Sequence, residues 1–136
     1  MSHEKQLREA YAHWNETKAG DTSKWMDLMS DRIVFRSLAG GAPGMEFTKK
    51  CHSKSDVEHY FAGLMDDWEL IYYVPDVFIV EDDRIAVLGK CSFKSKRTGK
   101  VVESPKADFF IFENGKIIEF YEFYDTAKAF AASIPD

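Results

Sequence analysis

The chain has 136 residues, of which 45% are hydrophobic and 30% charged, a balance that predicts one globular domain and argues against disorder. The net charge of -5 and the scattered Lys and Arg residues argue against nucleic acid as a partner. No window approaches the roughly 20 apolar residues that span a membrane, and the polar start lacks a secretory segment, so we expect a cytoplasmic protein.

Aromatic residues are abundant, with eleven Phe, six Tyr and three Trp, which indicates a core or cavity wall suited to an apolar ligand. Cys51 and Cys91 are isolated and are expected to be reduced thiols. No two of the four His residues have the spacing of a metal-binding motif. We therefore expect neither a metal nor a cofactor.

The first 38 residues predict two helices and a strand. Apolar residues at helical spacing predict a helix over residues 4–18, which Gly20 follows. A short helix containing Trp25 comes next, behind possible N-caps at residues 21–23. Alternation of apolar side chains then predicts a strand over residues 32–38.

Residues 39–54 contain three glycines and a proline without a helical or strand period, and they predict a mobile loop that forms a rim or lid. Ser55 and Glu58 have the spacing of a capping box, in which each side chain satisfies a free backbone donor of the other. This pair predicts a helix that begins at Ser55 and ends near Asp66.

From Trp68 the pattern alternates, and it predicts four consecutive strands over residues 70–80, 85–94, 101–112 and 116–124. The Asn-Gly pair between the last two is a strong hairpin signal because both residues tolerate positive φ. Strands of about ten residues must twist and curl, so we expect helices to cover the concave face. An alanine-rich run over residues 127–133 predicts a final helix that needs packing partners.

Residues 107–127, with the sequence ADFFIFENGKIIEFYEFYDTA, resemble the end of a SnoaL-like or ketosteroid-isomerase-like domain of the NTF2-like superfamily. The shared features are an acidic strand residue, an aromatic strand, an NGK hairpin and a terminal Tyr-Asp. The order of the predicted elements is similar as well. The resemblance implies a single α+β domain over residues 1–136, a cone-shaped barrel whose curved mixed or antiparallel sheet is covered by N-terminal helices.

The same resemblance implies a homodimer with a deep pocket. Members of the superfamily include isomerases, polyketide cyclases, epoxide hydrolases, dehydratases and non-enzymes, so the fold alone does not identify a reaction.

Asp108 is the leading catalytic candidate because it interrupts an otherwise mixed strand face that includes Val102, Ser104, Lys106, Phe110 and Phe112. If that face lines a pocket, loss of solvation would favour the protonated acid. The ketosteroid-isomerase pattern has a protonated Asp at the matching position, where it helps to stabilise an oxyanion. The alternative is that Lys106, two residues away on the same face, pairs with Asp108 and keeps it ionised.

Asp125 and His13 are the other two catalytic candidates. Asp125 matches the terminal acid of SnoaL-like cyclases, which implies a general acid/base, but an Asp in front of a helix is equally suited to N-capping. His13 lies beside the apolar stripe of the first helix and could transfer a proton near neutral pH. A histidine at such an edge is more often an ordinary boundary residue.

Aromatic side chains on the predicted helices and strands are the candidate ligand contacts, although the helical ones also suit a core: Tyr11, Trp14, Phe35, Tyr60, Phe110 and Tyr121. One departure from the isomerase pattern matters, because Ser37 occupies or adjoins the position of its catalytic base. This departure argues against ketosteroid isomerisation itself. Two carboxylates, Asp108 and Asp125, near one aromatic cavity still predict cofactor-independent proton transfer, isomerisation, cyclisation or dehydration of a small apolar carbonyl or hydroxyl compound. The alternative is an NTF2-like domain that binds a ligand or dimerises without catalysis.

Overall fold

The computed structural model describes residues 2–136. Its helices are α1 (His3–Glu16), α2 (Ser23–Leu28), α3 (Lys54–Asp67) and α4 (Thr126–Ser133), with one 3-10 turn at Glu46–Thr48. Its strands are β1 (Met29–Ser37), β2 (Trp68–Glu81), β3 (Arg84–Ser95), β4 (Val101–Glu113) and β5 (Lys116–Tyr124). The predicted α+β class is confirmed, with each predicted helix and strand present and shifted by only a few residues.

The five strands form one sheet in the order β1-β5-β4-β3-β2. The predicted antiparallel meander of β2 to β5 is confirmed, and β1 adds to it in parallel alongside β5. Two register shifts interrupt the pairing of β2 with β3 and allow these long strands to bend. The curved sheet remains open rather than closing into a barrel, since β1 and β2 do not pair with each other.

The helices pack against the concave face because both surfaces have an apolar stripe. The buried side of α1 contains Leu7, Ala10, Tyr11 and Trp14 at helical spacing, as predicted, and α1 packs mainly on β2. Each large side chain buried there contributes roughly 1.5–3 kcal/mol to the free energy of unfolding. The β4–β5 hairpin also forms as predicted, with positive φ at Asn114 and Gly115.

The cap of α3 differs from the prediction. Ser53, and not Ser55, is the N-cap residue, because its backbone is extended and its hydroxyl accepts a hydrogen bond from the Asp56 N–H at 3.1 Å. The Asp56 carboxylate in turn accepts one from the His52 N–H at 3.0 Å. The capping exchange therefore exists two residues earlier than predicted, and Ser55 lies inside the helix.

The segment between β1 and α3 is more structured than its composition predicted. It contains the turn Glu46–Thr48, and hydrogen bonds between Phe35 and Cys51 tie its end to β1. Gly63 of α3 allows Phe47 to approach closely, since a Cβ there would lie 2.4 Å from the Phe47 Cβ. Among the helices of residues 2–136, none is both long and apolar enough to cross a membrane.

Candidate functional site

A cavity of about 110 Å³ lies between the concave face of the sheet and the helices that cover it. Most of the predicted contacts do line it, namely Tyr11, Trp14, Phe35, Tyr60, Phe110, Asp108 and Asp125. Their roles toward a ligand stay predictions. Within the predicted set, the structure thus brings both candidate carboxylates and five of the six aromatic residues to one cavity.

Asp108 lies on β4 in the middle of the cavity wall, on the same inward face as its neighbours Lys106 and Phe110. Its Oδ2 accepts hydrogen bonds from the Tyr11 hydroxyl at 2.5 Å and the Tyr73 hydroxyl at 2.6 Å. Its Oδ1 accepts one from the Lys106 ammonium at 2.5 Å. Three donors, one of them charged, suit an ionised carboxylate. The structure therefore has the ion pair between Lys106 and Asp108, which was the alternative to a protonated Asp108.

Lys106 connects Asp108 to a second carboxylate, that of Glu122 on β5. Its Nζ lies 2.9 Å from Glu122 Oε2, while Glu122 Oε1 accepts a hydrogen bond from the Tyr60 hydroxyl. Burial alone would lower the pKa of Lys106, but the nearby Asp108 and Glu122 outweigh it and raise that pKa above its ordinary value. Lys106 therefore stays protonated at neutral pH.

The tyrosines of this cluster keep their protons. Burial, followed by the nearby carboxylates, raises the pKa of Tyr11, Tyr60 and Tyr73 well above the usual value for a phenol. Each can therefore act as a hydrogen-bond donor but not as a base. Burial likewise raises the pKa of the cavity-lining Cys91 to about 12, which removes its thiolate at neutral pH.

Ser37 lies at the end of β1, where the isomerase pattern would place its base. Its hydroxyl lies 2.6 Å from that of Tyr124, and burial with the nearby Glu122 raises the pKa of Tyr124 to about 12. No carboxylate replaces Ser37 on this strand, but Glu122 is its register partner on β5. A carboxylate thus lies beside the expected position, on the neighbouring strand.

Asp125 lies at the cavity wall and is also the N-cap of α4. Its Oδ1 accepts a hydrogen bond from the Lys128 N–H at 3.0 Å, and its own N–H donates to the Ser104 hydroxyl at 2.8 Å. Asp125 is therefore an N-cap residue that also lines the cavity.

Two of the predicted residues lie outside the cavity. His13 is not part of the lining, and its Nε2 lies 2.9 Å from Asp21 Oδ2 in a partly exposed pair. Tyr121 lies on the outer face of β5, where it stacks on Phe123 and lies under the Arg36 guanidinium. The reason is the alternation of β5, which turns Phe120, Glu122 and Tyr124 inward and Tyr121 outward. Neither residue is retained in the site.

Trp68 adds a polar group without a partner. It is 3% exposed and lines the cavity, and its buried Nε1 has no hydrogen-bond partner among residues 2–136. A buried N–H without an acceptor is destabilising, so it indicates a position that a ligand atom could satisfy. Among residues 2–136, no three His, Cys, Asp or Glu side chains lie close enough together to hold a metal ion.

Glu122, Tyr73 and Trp68 were missed from the sequence. Glu122 could have been found by the same alternation that identified Asp108, since it shares the inward face with Phe120. Tyr73 was hidden by the register shift between Leu70 and Tyr72, which changes the face of the residues that follow, up to the second shift after Pro75.

Comparison with solved structures gives closely similar folds at low sequence identity. An NTF2-like protein from Burkholderia pseudomallei has a TM-score of 0.82 at 20% identity, covering 97% of this chain and 98% of the other. A proposed polyketide cyclase from Pseudomonas putida has a TM-score of 0.81 at 15% identity, with 97% and 98% covered. A hypothetical protein with a ketosteroid isomerase-like fold from Catenulispora acidiphila has a TM-score of 0.75 at 12% identity, with 94% of each chain covered.

No curated protein matches the sequence. A family model does, and it covers most of the domain from α1 to β5. The resemblance first read from residues 107–127 is thereby confirmed. With residues 7–120 matched by the model of the SnoaL-like domain, the chain belongs to the SnoaL-like domain family within the NTF2-like fold.

Proposed function

We propose that this domain is a cofactor-independent enzyme that transfers a proton on a small, largely apolar carbonyl or hydroxyl compound, as in isomerisation, cyclisation or dehydration. The observation that carries the proposal is Lys106, held between Asp108 and Glu122 in an aromatic cavity. Replacing such buried ion clusters with packed apolar residues is often neutral or stabilising, so stability alone does not require this one. Clusters of this kind are more common at active sites.

The two carboxylates have different roles in the proposal. Asp108 has a 3% exposed side chain and three donors, so it anchors Lys106 and the tyrosines. Glu122 is 12% exposed and binds only Lys106 and Tyr60, so it is the carboxylate that exchanges a proton with substrate. Lys106 remains protonated and stabilises negative charge that develops on a substrate oxygen. Asp125, at the cavity wall, is the second proton-transfer candidate.

The cavity limits a substrate to one ring at most. Its volume of about 110 Å³ is below the roughly 150 Å³ of an engineered apolar cavity that binds benzene. The free indole N–H of Trp68 favours an oxygen acceptor on that ring or beside it.

Hydrogen–deuterium exchange tests the proposal directly. Cyclohexanone in D2O, followed by NMR, reports on removal of protons beside a carbonyl, and we expect the protein to accelerate it. Glu122→Gln should slow the catalysed exchange by about 10²–10⁴-fold, the usual contribution of a general base. The matched control is Glu119→Gln, on the same strand but outside the cavity lining. Exchange that survives Glu122→Gln, or no exchange with any monocyclic ketone, would refute the proposal.

The alternative is a domain that binds a ligand without turning it over. The observation in its favour is that both oxygens of Asp108 and both oxygens of Glu122 already have donors within the protein. Ketones that bind in NMR titrations without any exchange would support this alternative.

We propose in addition that the outer face of the sheet pairs with a second copy of the chain. On β2 to β5, two adjacent cross-strand rows of that face are apolar, and Arg36 of β1 extends the second: Val77, Leu88, Ala107 and Phe123, and Ile79, Ala86, Phe109 and Tyr121. Lys90 lies beyond the first row, and Glu81, Arg84, Ile111 and Glu119 form the row beyond the second. A two-fold axis across the strands would pack the apolar rows of one copy against those of the other.

Ser92, two residues after Lys90 on β3, is 1% exposed and cannot contribute to this surface. Light scattering should give twice the chain mass for the protein and the chain mass for Leu88→Lys. A monomeric wild-type protein would refute the pairing.

A further inference from the structure

We propose that the cavity selects a small organic cation, an amine or ammonium group attached to about one ring, and rejects anions. The inference uses the site of the proposed function and adds the charge of its substrate. It follows from the balance of charges in the cavity wall, from the neighbours of Glu122 and from the aromatic surface around them.

The charged side chains that line the cavity are unbalanced. Asp108, Glu122 and Asp125 contribute three carboxylates, and among residues 2–136 Lys106 is the only cation in the lining. The ammonium of Lys106 is shared between two of the carboxylates, at 2.5 Å and 2.9 Å. The wall therefore has an excess of negative charge that an anionic ligand would increase and a cationic ligand would reduce.

Glu122 is where a ligand cation is best placed. An ionised carboxylate offers about four acceptor positions, of which Asp108 uses three and Glu122 uses two. Glu122 is also the more accessible of the two, with 12% of its side chain exposed against 3%. It can therefore accept a further charged hydrogen bond without losing Lys106 or Tyr60.

The walls of the cavity already stabilise one ammonium group. The Lys106 Nζ lies 5.2 Å from the ring centre of Tyr73, 5.9 Å from that of Tyr124 and 6.0 Å from that of Phe120. Rings at such distances attract cations through their negative faces. Phe35 packs against both Tyr60 and Phe120, with ring centres 4.8 Å and 4.4 Å apart, so the aromatic surface continues past Glu122.

A separate feature of the cavity is a buried donor that has no acceptor within the protein. Trp68 lines it with a buried Nε1 that has no partner among the described residues. An oxygen acceptor on a ligand would satisfy Trp68, and an ammonium group would add a donor to Glu122. A positive charge on the substrate would also make its neighbouring C–H bonds more acidic, which suits proton transfer to a carboxylate.

Three probes of the same size and different charge test the inference: benzylamine, benzyl alcohol and benzoate, titrated calorimetrically at pH 7. We expect benzylamine to bind at least tenfold more tightly than benzyl alcohol, and benzoate not to bind. Glu122→Gln should reduce the preference for the amine to below threefold, while Glu119→Gln should leave it intact. Benzoate binding as tightly as benzylamine, or a preference that survives Glu122→Gln, would overturn the proposal.

Further measurements distinguish a loss of charge preference from a loss of folding and from a loss of catalysis. Circular dichroism verifies that Glu122→Gln is folded, and Asp125→Asn provides a second variant that removes a wall charge outside the Lys106 cluster. We expect Asp125→Asn to reduce the preference for the amine by a smaller factor, and no reduction in either folded variant would count against the proposal. Amine preference without ketone exchange would refute only the proposed catalysis, and exchange without amine preference only this inference.

Discussion

Replacing Lys106 with Met should destabilise the fold strongly, because the change leaves two buried carboxylates without their shared cation. The side chain of the lysine is 6% exposed, between 3% for Asp108 and 12% for Glu122. Breaking a buried pair by removing one partner costs about 3–5 kcal/mol, a large part of the 5–15 kcal/mol typical of a domain. We expect Lys106→Met to lose about that amount, and the exposed Lys24→Met to lose less than about 0.5 kcal/mol.

Urea unfolding followed by tryptophan fluorescence measures this loss, since Trp14, Trp25 and Trp68 all line the cavity. The raised pKa of Lys106 also sets the pH dependence. A lysine whose folded pKa exceeds its unfolded value of about 10.4 stabilises fully below that value and loses the effect as pH rises through the folded pKa. The difference between wild type and Lys106→Met should therefore be constant from pH 6 to 9 and shrink only above about pH 10. A loss below about 1 kcal/mol, or a difference that disappears near neutrality, would refute the ionised cluster.

Three further changes test individual contacts in the same unfolding assay. Asp125→Ala should lose about 1 kcal/mol through the cap of α4 and Asp125→Asn much less, so ketone exchange lost in the stable Asn variant would point to acid/base chemistry. Ser53→Ala should lose about 1 kcal/mol and Ser55→Ala less than about 0.5 kcal/mol; the reverse order would contradict the cap assignment. Gly89→Ala should lose more than about 2 kcal/mol, because its Cβ would lie 2.1 Å from the Val74 carbonyl oxygen across the strands, and a neutral result would contradict this packing.

The strands and helices were predictable because each depends on local patterns. The inward face of β4 follows from strict alternation, so Asp108 and Lys106 were placed together correctly. The Asn114-Gly115 turn fixed the β4–β5 hairpin in the same way. The parallel pairing of β1 with β5 could not be read locally, since it joins strands about 90 residues apart.

The candidate site was only partly predictable, for reasons that differ between residues. Asp108 attracts notice as a charge among aromatic residues, but its hydroxyl partner Tyr11 lies 97 positions away and Tyr73 lies beyond a bulge. His13 was a candidate because it lies beside the apolar stripe of α1, yet its side chain pairs with Asp21 outside the cavity. Alternation along a strand is reliable only as long as no bulge intervenes.

The pairing of β4 with β5 explains why the cluster must act as one unit. Asp108 and Glu122 are directly opposite each other in the register, an arrangement that is destabilising for like charges. Lys106, one step along the same face and opposite Tyr124, reaches both carboxylates and removes that repulsion. A neutral residue at 106 would leave the repulsion in place, whereas Asp108→Asn would weaken the hold on the ammonium. The lysine is thus required by the two carboxylates, and the excess charge that remains is available for a ligand.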